Sequence, residues 1–393
     1  MHNYDFSTLT FLYNVLWSLV FVFILWGCTP TEEISPEHRK LIQDSIIHVD
    51  SLHRIDSVRA YKIKSANEQF PIIHYRKAVL NSKLLDSVRH AYGKKEETMD
   101  GYRAFTLLNR KDIHYYRFGD TVIIPDTIIK DLRAYSLFPH YYTAAENIHK
   151  FVFVSNKYQC YACYDSGRLV RFAACNSGEE RKPTFPGRYA IYWKSRLRHS
   201  SLDSTWILPF TCNIHLQAGS AFHQFDMPGR PVSHSCIRQF MPDAEWLFKW
   251  GRGAKLDSNR RFIPLSGTPV IILDLFDFTR RRGGPWRELT SNKEPLIPLP
   301  DDPMSVEEAL IPISQIPVDS RGSLVNPNRY KTAEDTLRER GVIRPNITLR
   351  ETINYNKLRK EKARAKARAL KQKKEEKSAD KPVEIPLQSS DTK

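Results

Sequence analysis

From Phe151 to Leu273 the chain alternates short β-branched or aromatic runs with turn residues, and this spacing constrains the fold more than any other feature. The run Phe151–Cys163 ends at Asp165-Ser166-Gly167, Arg168–Cys175 follows, and Arg188–Trp193 opens after Pro186-Gly187. Runs of this length, punctuated by Gly and Asp, are strands joined by tight turns. A further hairpin is expected from Asn213–Gln217 and Ser220–His223 around Ala218-Gly219, and Gly267-Thr268 leads into a closing strand at Pro269–Leu273. One amphipathic helix is expected at Pro242–Trp250, with Asp243 near its N-cap. Residues 148–276 are therefore predicted to be a mainly β domain with one or two short helices.

The flanks differ in composition. Residues 29–65 are polar and helix-prone, with a thin apolar stripe at Leu52, Ile55 and Val58, and read as a linker or spacer helix. Residues 66–147 return to globular composition and are expected to be a small α+β or helical region. Residues 277–345 form a Pro-rich connector, in whose first part, residues 277–318, Pro295, Pro298, Pro300 and Pro303 exclude regular structure. Residues 346–393 are a basic, low-complexity tail, expected to be a solvated helix with no apolar stripe to bury. The formal net charge is +16, and about half of that excess falls between Arg350 and Lys377. Such a run suits an anionic surface or a solubilising role; in an exported protein nucleic acid is not the expected partner.

Five of the six cysteines lie beyond residue 28. Cys160 and Cys163 sit three apart in an alternating run, so a strand points them to opposite faces and they can form neither a metal clamp nor a local disulfide. No second CxxC completes a zinc site, and neither metal nor cofactor is expected. Cys236 is different. It stands in Pro231-Val232-Ser233-His234-Ser235-Cys236-Ile237-Arg238, with a second histidine upstream in Phe222-His223-Gln224-Phe225. A thiol becomes a nucleophile when an imidazole takes its proton, and nearby donors stabilise the charge on an attacked carbonyl oxygen.

These residues carry a family resemblance. Pro228-Gly229-Arg230-Pro231-Val232-Ser233-His234-Ser235-Cys236-Ile237-Arg238 resembles the "PGYPASHGCIR" motif of L,D-transpeptidase catalytic domains of the YkuD type. Lys157–Val170 resembles the family's opening hairpin, Arg181–Tyr189 its "TPTG.Y" turn with Phe185 interposed, and the Gly267-Thr268-Pro269-Val270 run its last strand. The resemblance implies a β-sandwich and a reaction in which Cys236 attacks the third residue of a peptidoglycan stem tetrapeptide. Terminal D-alanine leaves, and the thioester passes to an amine of a second stem as a 3→3 cross-link. Water in place of the amine makes the same site a carboxypeptidase. The resemblance further implies His223 as proton donor and acceptor, its imidazole oriented by the carbonyl of Gln224, with His234 supporting the site by hydrogen bonding. Ser233, Ser235 and Arg238 are implied in substrate binding or in the oxyanion pocket. His215, in an "IH" context, competes with His223 for the role of base; the Pro228-Gly229 spacing favours His223. Ser235 stands where the family has glycine, so a positive φ there costs about 1–2 kcal/mol.

Two further resemblances bear on location. Ala104–Arg110 followed by Arg117–Pro125 resembles the second half of a LysM glycan-binding module, at about residues 100–126. Residues 1–28 carry an apolar run, Leu9–Trp26, that ends at Gly27-Cys28 and resembles a bacterial lipoprotein signal with Cys28 as the lipidated residue; the alternative is an uncleaved membrane anchor. Either exports the rest of the chain, so the expected setting is the periplasm or cell envelope, tethered to the membrane. A non-enzymatic wall-binding protein is the rival class.

Overall fold

The computed structural model describes residues 35–92, 100–280, 283–293 and 297–379. The apolar N-terminal run and Cys28 lie outside the described residues. The chain divides into two compact units, Met1–Ala60 and Tyr61–Lys393. In the first, the described residues belong to helix α1 (Pro36–Asn67), on which Leu41, Ile46 and Ile55 are exposed. No helix among the described residues is long and apolar enough to cross a membrane.

Two sheets dominate the second unit. The first has five strands in the order β5-β4-β3-β11-β6, comprising β3 (Phe151–Ser155), β4 (Cys160–Asp165), β5 (Arg168–Ala174), β6 (Gly187–Ala190) and β11 (Pro269–Ile272). The second has four in the order β10-β9-β8-β7, comprising β7 (Lys194–His199), β8 (Ile207–Asn213), β9 (Ala221–Gln224) and β10 (Ile237–Gln239). Neighbours are antiparallel except β11 with β3 and β10 with β9. The two sheets share one core: Val152, Val154, Tyr161 and Cys163 from the first meet Cys212, Phe222 and Ile237 from the second. Leu247 of helix α4 (Met241–Trp250) joins that core. Asp243 lies in the first turn of this helix, close to its N-cap Phe240. Its buried carboxylate accepts from Arg171, at 3.0 Å from Nε, the cationic partner that a buried charge needs.

Every residue of β3 is buried, because the outer face of the first sheet is covered as well. Phe151, Phe153, Cys160, Ala162 and Phe172 pack there against Ala104, Leu107, Leu108 and Phe138. Cys160 thus belongs to one core and Cys163 to the other, as strand alternation requires. The covering layer contains β1 (Tyr75–Val79), α2 (Ser82–Tyr92), α3 (Asp100–Asn109) and β2 (Thr121–Pro125), with β1 antiparallel to β2. The buried Asn109 side chain closes this βααβ unit. Its oxygen accepts from the N–H of Ile123 at 2.9 Å, and its amide donates to the Ile123 carbonyl at 2.8 Å.

The segment after the β domain is more than a connector. Among its described residues it has short 3₁₀ turns up to Ser323, then helix α5 (Pro327–Glu339), and it buries Ala309, Ile311, Ile316, Leu337, Ile343 and Leu349 in the inter-sheet core. Glu308 bridges Arg188 on β6, so this segment covers the edge of the first sheet. The basic tail forms helix α6 (Tyr355–Ala379), exposed from Glu361 to Lys373 as expected. Its first turn is docked: Asn356 N–H donates to the Leu202 carbonyl at 3.0 Å, and Arg359 grips Asp203 through two hydrogen bonds of 2.9 and 2.6 Å.

Candidate active site

Strand register assembles the site. β10 runs parallel to β9 with Ile237 beside Phe222 and Arg238 beside His223. One residue earlier, Cys236 stands beside Ala221. Alternation then puts Ala221, His223, Cys236 and Arg238 on one face of the second sheet. His223, Cys236 and Arg238 all line one cavity of about 390 Å³, together with Ser233 and His234.

Three bonds hold the cysteine turn. Ser235 adopts φ +75°, the left-handed conformation its glycine-replacing position foreshadowed. Its hydroxyl pairs with that of Ser220 at 2.8 Å, and its carbonyl accepts from Thr184 Oγ1 at 3.1 Å. Ser233 Oγ donates to the Cys236 carbonyl. Upstream, Gly229 turns at φ +81°, where a Cβ would lie 2.8 Å from the side chain of Lys111; only glycine fits this close approach of the βααβ unit.

The electrostatics favour neutral partners. The Cys236 thiol is half-buried and donates to the Gly219 carbonyl at 3.9 Å. Burial raises its pKa, while the N–H of Ala221 and the charge of Arg238 pull it back down in part. Burial lowers that of His223 to about 4, opposed by the Gln224 carbonyl and reinforced by Arg238. At neutral pH the pair is therefore thiol and imidazole rather than thiolate and imidazolium. His223 Nδ1 lies 2.9 Å from the Gln224 carbonyl oxygen. A carbonyl only accepts, so Nδ1 carries the proton and Nε2 is left with its lone pair.

The remaining candidates separate. His215 is not in a strand opposite His223. β8 ends at Asn213, and His215 lies in the turn that follows, because the Ile214 N–H bonds across to Ser220 and closes the loop there. Its Nδ1 accepts from the Ala218 N–H at 3.1 Å, its ring meets Tyr330 edge-on at 6.0 Å, and it does not line the cavity. Burial, with Arg329, lowers its pKa to about 4. Among the described residues His234 makes ring contacts rather than the expected side-chain hydrogen bond: its ring stacks on Trp206 at 5.4 Å and meets Tyr355 at 6.3 Å. Burial and the charge of Lys182 lower its pKa. Arg238 donates to the Asp226 carbonyl at 3.2 Å and lies over the Phe225 ring at 4.6 Å. Among the described residues, no cluster of three or more His, Cys, Asp or Glu is arranged to hold a metal.

Several residues at the site have no sequence signal. Pro317 and Ser320, from the segment after the β domain, close one side of the cavity. Trp206 and Tyr355 meet at 5.6 Å although they lie far apart in sequence. Arg198 on β7 also lines the cavity.

Residues 149–272 match the family model of the YkuD L,D-transpeptidase catalytic domain. Similar solved structures include an L,D-transpeptidase from Stackebrandtia nassauensis, at 20% identity over 33% of this chain and 57% of that one, with a TM-score of 0.27. An L,D-transpeptidase from Mycobacterium smegmatis shows 14% identity over 32% and 58%, TM-score 0.26. That of Xylanimonas cellulosilytica DSM 15894 shows 23% over 32% and 60%, TM-score 0.25. The chain thus spans less than two thirds of the length of each of these structures. No curated protein matches. The family assignment therefore rests on the match of residues 149–272 to the YkuD L,D-transpeptidase catalytic domain, and it covers that part of the chain alone.

Proposed function

We propose that the chain is a cysteine acyltransferase of the cell envelope that cross-links peptidoglycan stem peptides. The observation carrying this reading is the His223 tautomer: an imidazole whose bare Nε2 shares a face and a cavity with the Cys236 thiol. In the first step Sγ attacks the carbonyl carbon of the donor's third residue as its proton passes to His223 Nε2. N–H groups of the Ser233–Cys236 turn receive the developing oxyanion. The C–N bond to terminal D-alanine breaks, Nε2 returns the proton to the leaving amine, and a thioester remains. An acceptor amine then loses its proton to Nε2 and attacks the thioester; the new amide forms and Cys236 leaves, retaking that proton. Water in place of the amine gives the hydrolytic outcome.

Incubation of the protein with a tetrapeptide donor, with and without an amine acceptor, tests the reading. D-Alanine release with acceptor-dependent dimer formation supports transfer, and release with no dimer supports the hydrolase. Loss of release in His223→Ala but not in His215→Ala is expected; the reverse overturns the assignment of the base.

The βααβ order and the β1–β2 pair favour a second role alongside the first. We infer that residues 75–125 are a LysM-like module that retains the protein on wall glycan. Sedimentation with purified sacculi is expected to survive Cys236→Ala. Tethering through Cys28 belongs to the same reading, and mass spectrometry of the mature N-terminus from its native envelope tests it.

A further inference from the structure

Among the described residues no aspartate or glutamate lines the cavity around Cys236, yet two arginines do. They occupy opposite edges of the second sheet, Arg238 on β10 and Arg198 on β7. Arg238 is already engaged by the Asp226 carbonyl and the Phe225 ring. Arg198 enters no ion pair among the described residues; its guanidinium lies over the Trp193 ring at 4.5 Å, and Trp193 lines the same cavity.

Stacking on an indole face limits the rotamers of a guanidinium while leaving its edge N–H groups open, and that fork matches a carboxylate through two parallel hydrogen bonds. With no acidic residue on the cavity wall to compete, the complementary anion has to come with the ligand. The strand carrying Arg198 lies three strands from β10, about 14 Å across the sheet at roughly 4.8 Å per strand. Its anion is therefore remote from the reacting carbonyl. The same cavity is lined by Leu208, Leu216 and Trp206 together with uncharged polar groups such as Thr211 and Gln217, which suits an extended peptide.

We propose that Arg198, carried on Trp193, is a subsite for a free side carboxylate of the donor peptide, set apart from the bond cleaved at Cys236. The subsite rests on the acyl-transfer reading above, which supplies a substrate bearing such carboxylates. It makes Arg198 a specificity determinant that selects peptides with an ionised side carboxylate over their carboxamides.

The test is equilibrium binding by calorimetry to the full chain carrying Cys236→Ala, which separates affinity from turnover. The probes are a stem tetrapeptide with free side carboxylates and the same peptide with those groups as carboxamides. The carboxylate peptide is expected to bind about tenfold more tightly, and R198Q is expected to abolish that difference while leaving the carboxamide peptide unaffected. R198K, which keeps the charge but not the fork, is expected to fall between. Equal weakening of both peptides by R198Q, no weakening of either, or no measurable affinity for the carboxylate peptide overturns the subsite. With Cys236 intact, R198Q is expected to leave the alkylation rate of the thiol by iodoacetamide unchanged; a slowed rate means that Arg198 acts through the thiol, and the subsite falls. Arg198-dependent binding without any acyl-enzyme in the wild type keeps the subsite and overturns the acyl-transfer reading instead.

Discussion

Asn176 and Arg238 are joined through both backbone groups: the Asn176 N–H donates to the Arg238 carbonyl at 3.1 Å, and the Arg238 N–H donates to the Asn176 carbonyl at 3.0 Å. The fully buried Asn176 side chain extends the tie. Its amide donates to the Arg110 carbonyl at 3.1 Å, and its oxygen accepts from the Gly229 N–H at 2.9 Å. One residue therefore links the strand after Cys236, the turn before it, and the βααβ unit. Asn176→Ala leaves a buried N–H and a buried carbonyl without these partners and is expected to cost about 1–3 kcal/mol for each. Urea unfolding measures the loss; a midpoint within error of wild type contradicts the role.

Ser235 separates backbone strain from side-chain bonding. Both Ser235→Ala and Ser235→Gly remove the bond to Ser220, but only glycine relieves the positive φ. The glycine variant is expected to be more stable than the alanine variant by about 1 kcal/mol. Thermal unfolding of the pair checks this, and equal stabilities contradict it.

Burial raises the Cys236 pKa and lowers that of His223 to about 4, which favours a neutral thiol and imidazole over an ion pair. The iodoacetamide alkylation rate of Cys236 is expected to climb with pH through the alkaline range. A plateau extending below pH 7 is the signature of a preformed thiolate–imidazolium pair and contradicts this electrostatic description.

His215 and His223 both have folded-state pKa values of about 4, below the ordinary 6.5. Between those values the unfolded chain binds more protons than the folded one, so stability rises with pH. The urea midpoint is expected to fall as pH drops from about 6.5 towards 4 and to change little from these groups above about 7. His215→Gln, outside the cavity, is expected to shallow that fall; an unchanged slope contradicts the burial of His215.

Much of the catalytic fold was legible because its signals are local. Gly and Asp turns bounded the strands, alternation put Cys160 and Cys163 on opposite faces, and the Ser233–Arg238 motif lay within a few residues of its own turn. His215 was harder to place, because a loop closed by Ile214 and Ser220 gives the same apolar and polar pattern as a continuing strand. The first half of the βααβ unit is less legible, because β1 (Tyr75–Val79) pairs with β2 across two intervening α-helices rather than with a neighbour in sequence. The contributions of Pro317, Ser320, Tyr355 and Asn176 arise from packing between segments distant in sequence, which neither propensity nor periodicity records. Among the described residues of 277–318 the proline-rich sequence forms no α-helix or strand, yet the segment still found a core to bury in. Regular structure and burial are separate properties of a chain.

The central claim is a thioester at Cys236. Intact-protein mass spectrometry after incubation with a tetrapeptide donor, or with a carbapenem as a slowly released acylating agent, tests it most directly. The expected result is a single adduct on the wild type, mapped by digestion to the peptide containing Cys236 and lost in Cys236→Ala. An adduct that persists in Cys236→Ala, or its absence from a folded wild type with both reagents, contradicts the claim.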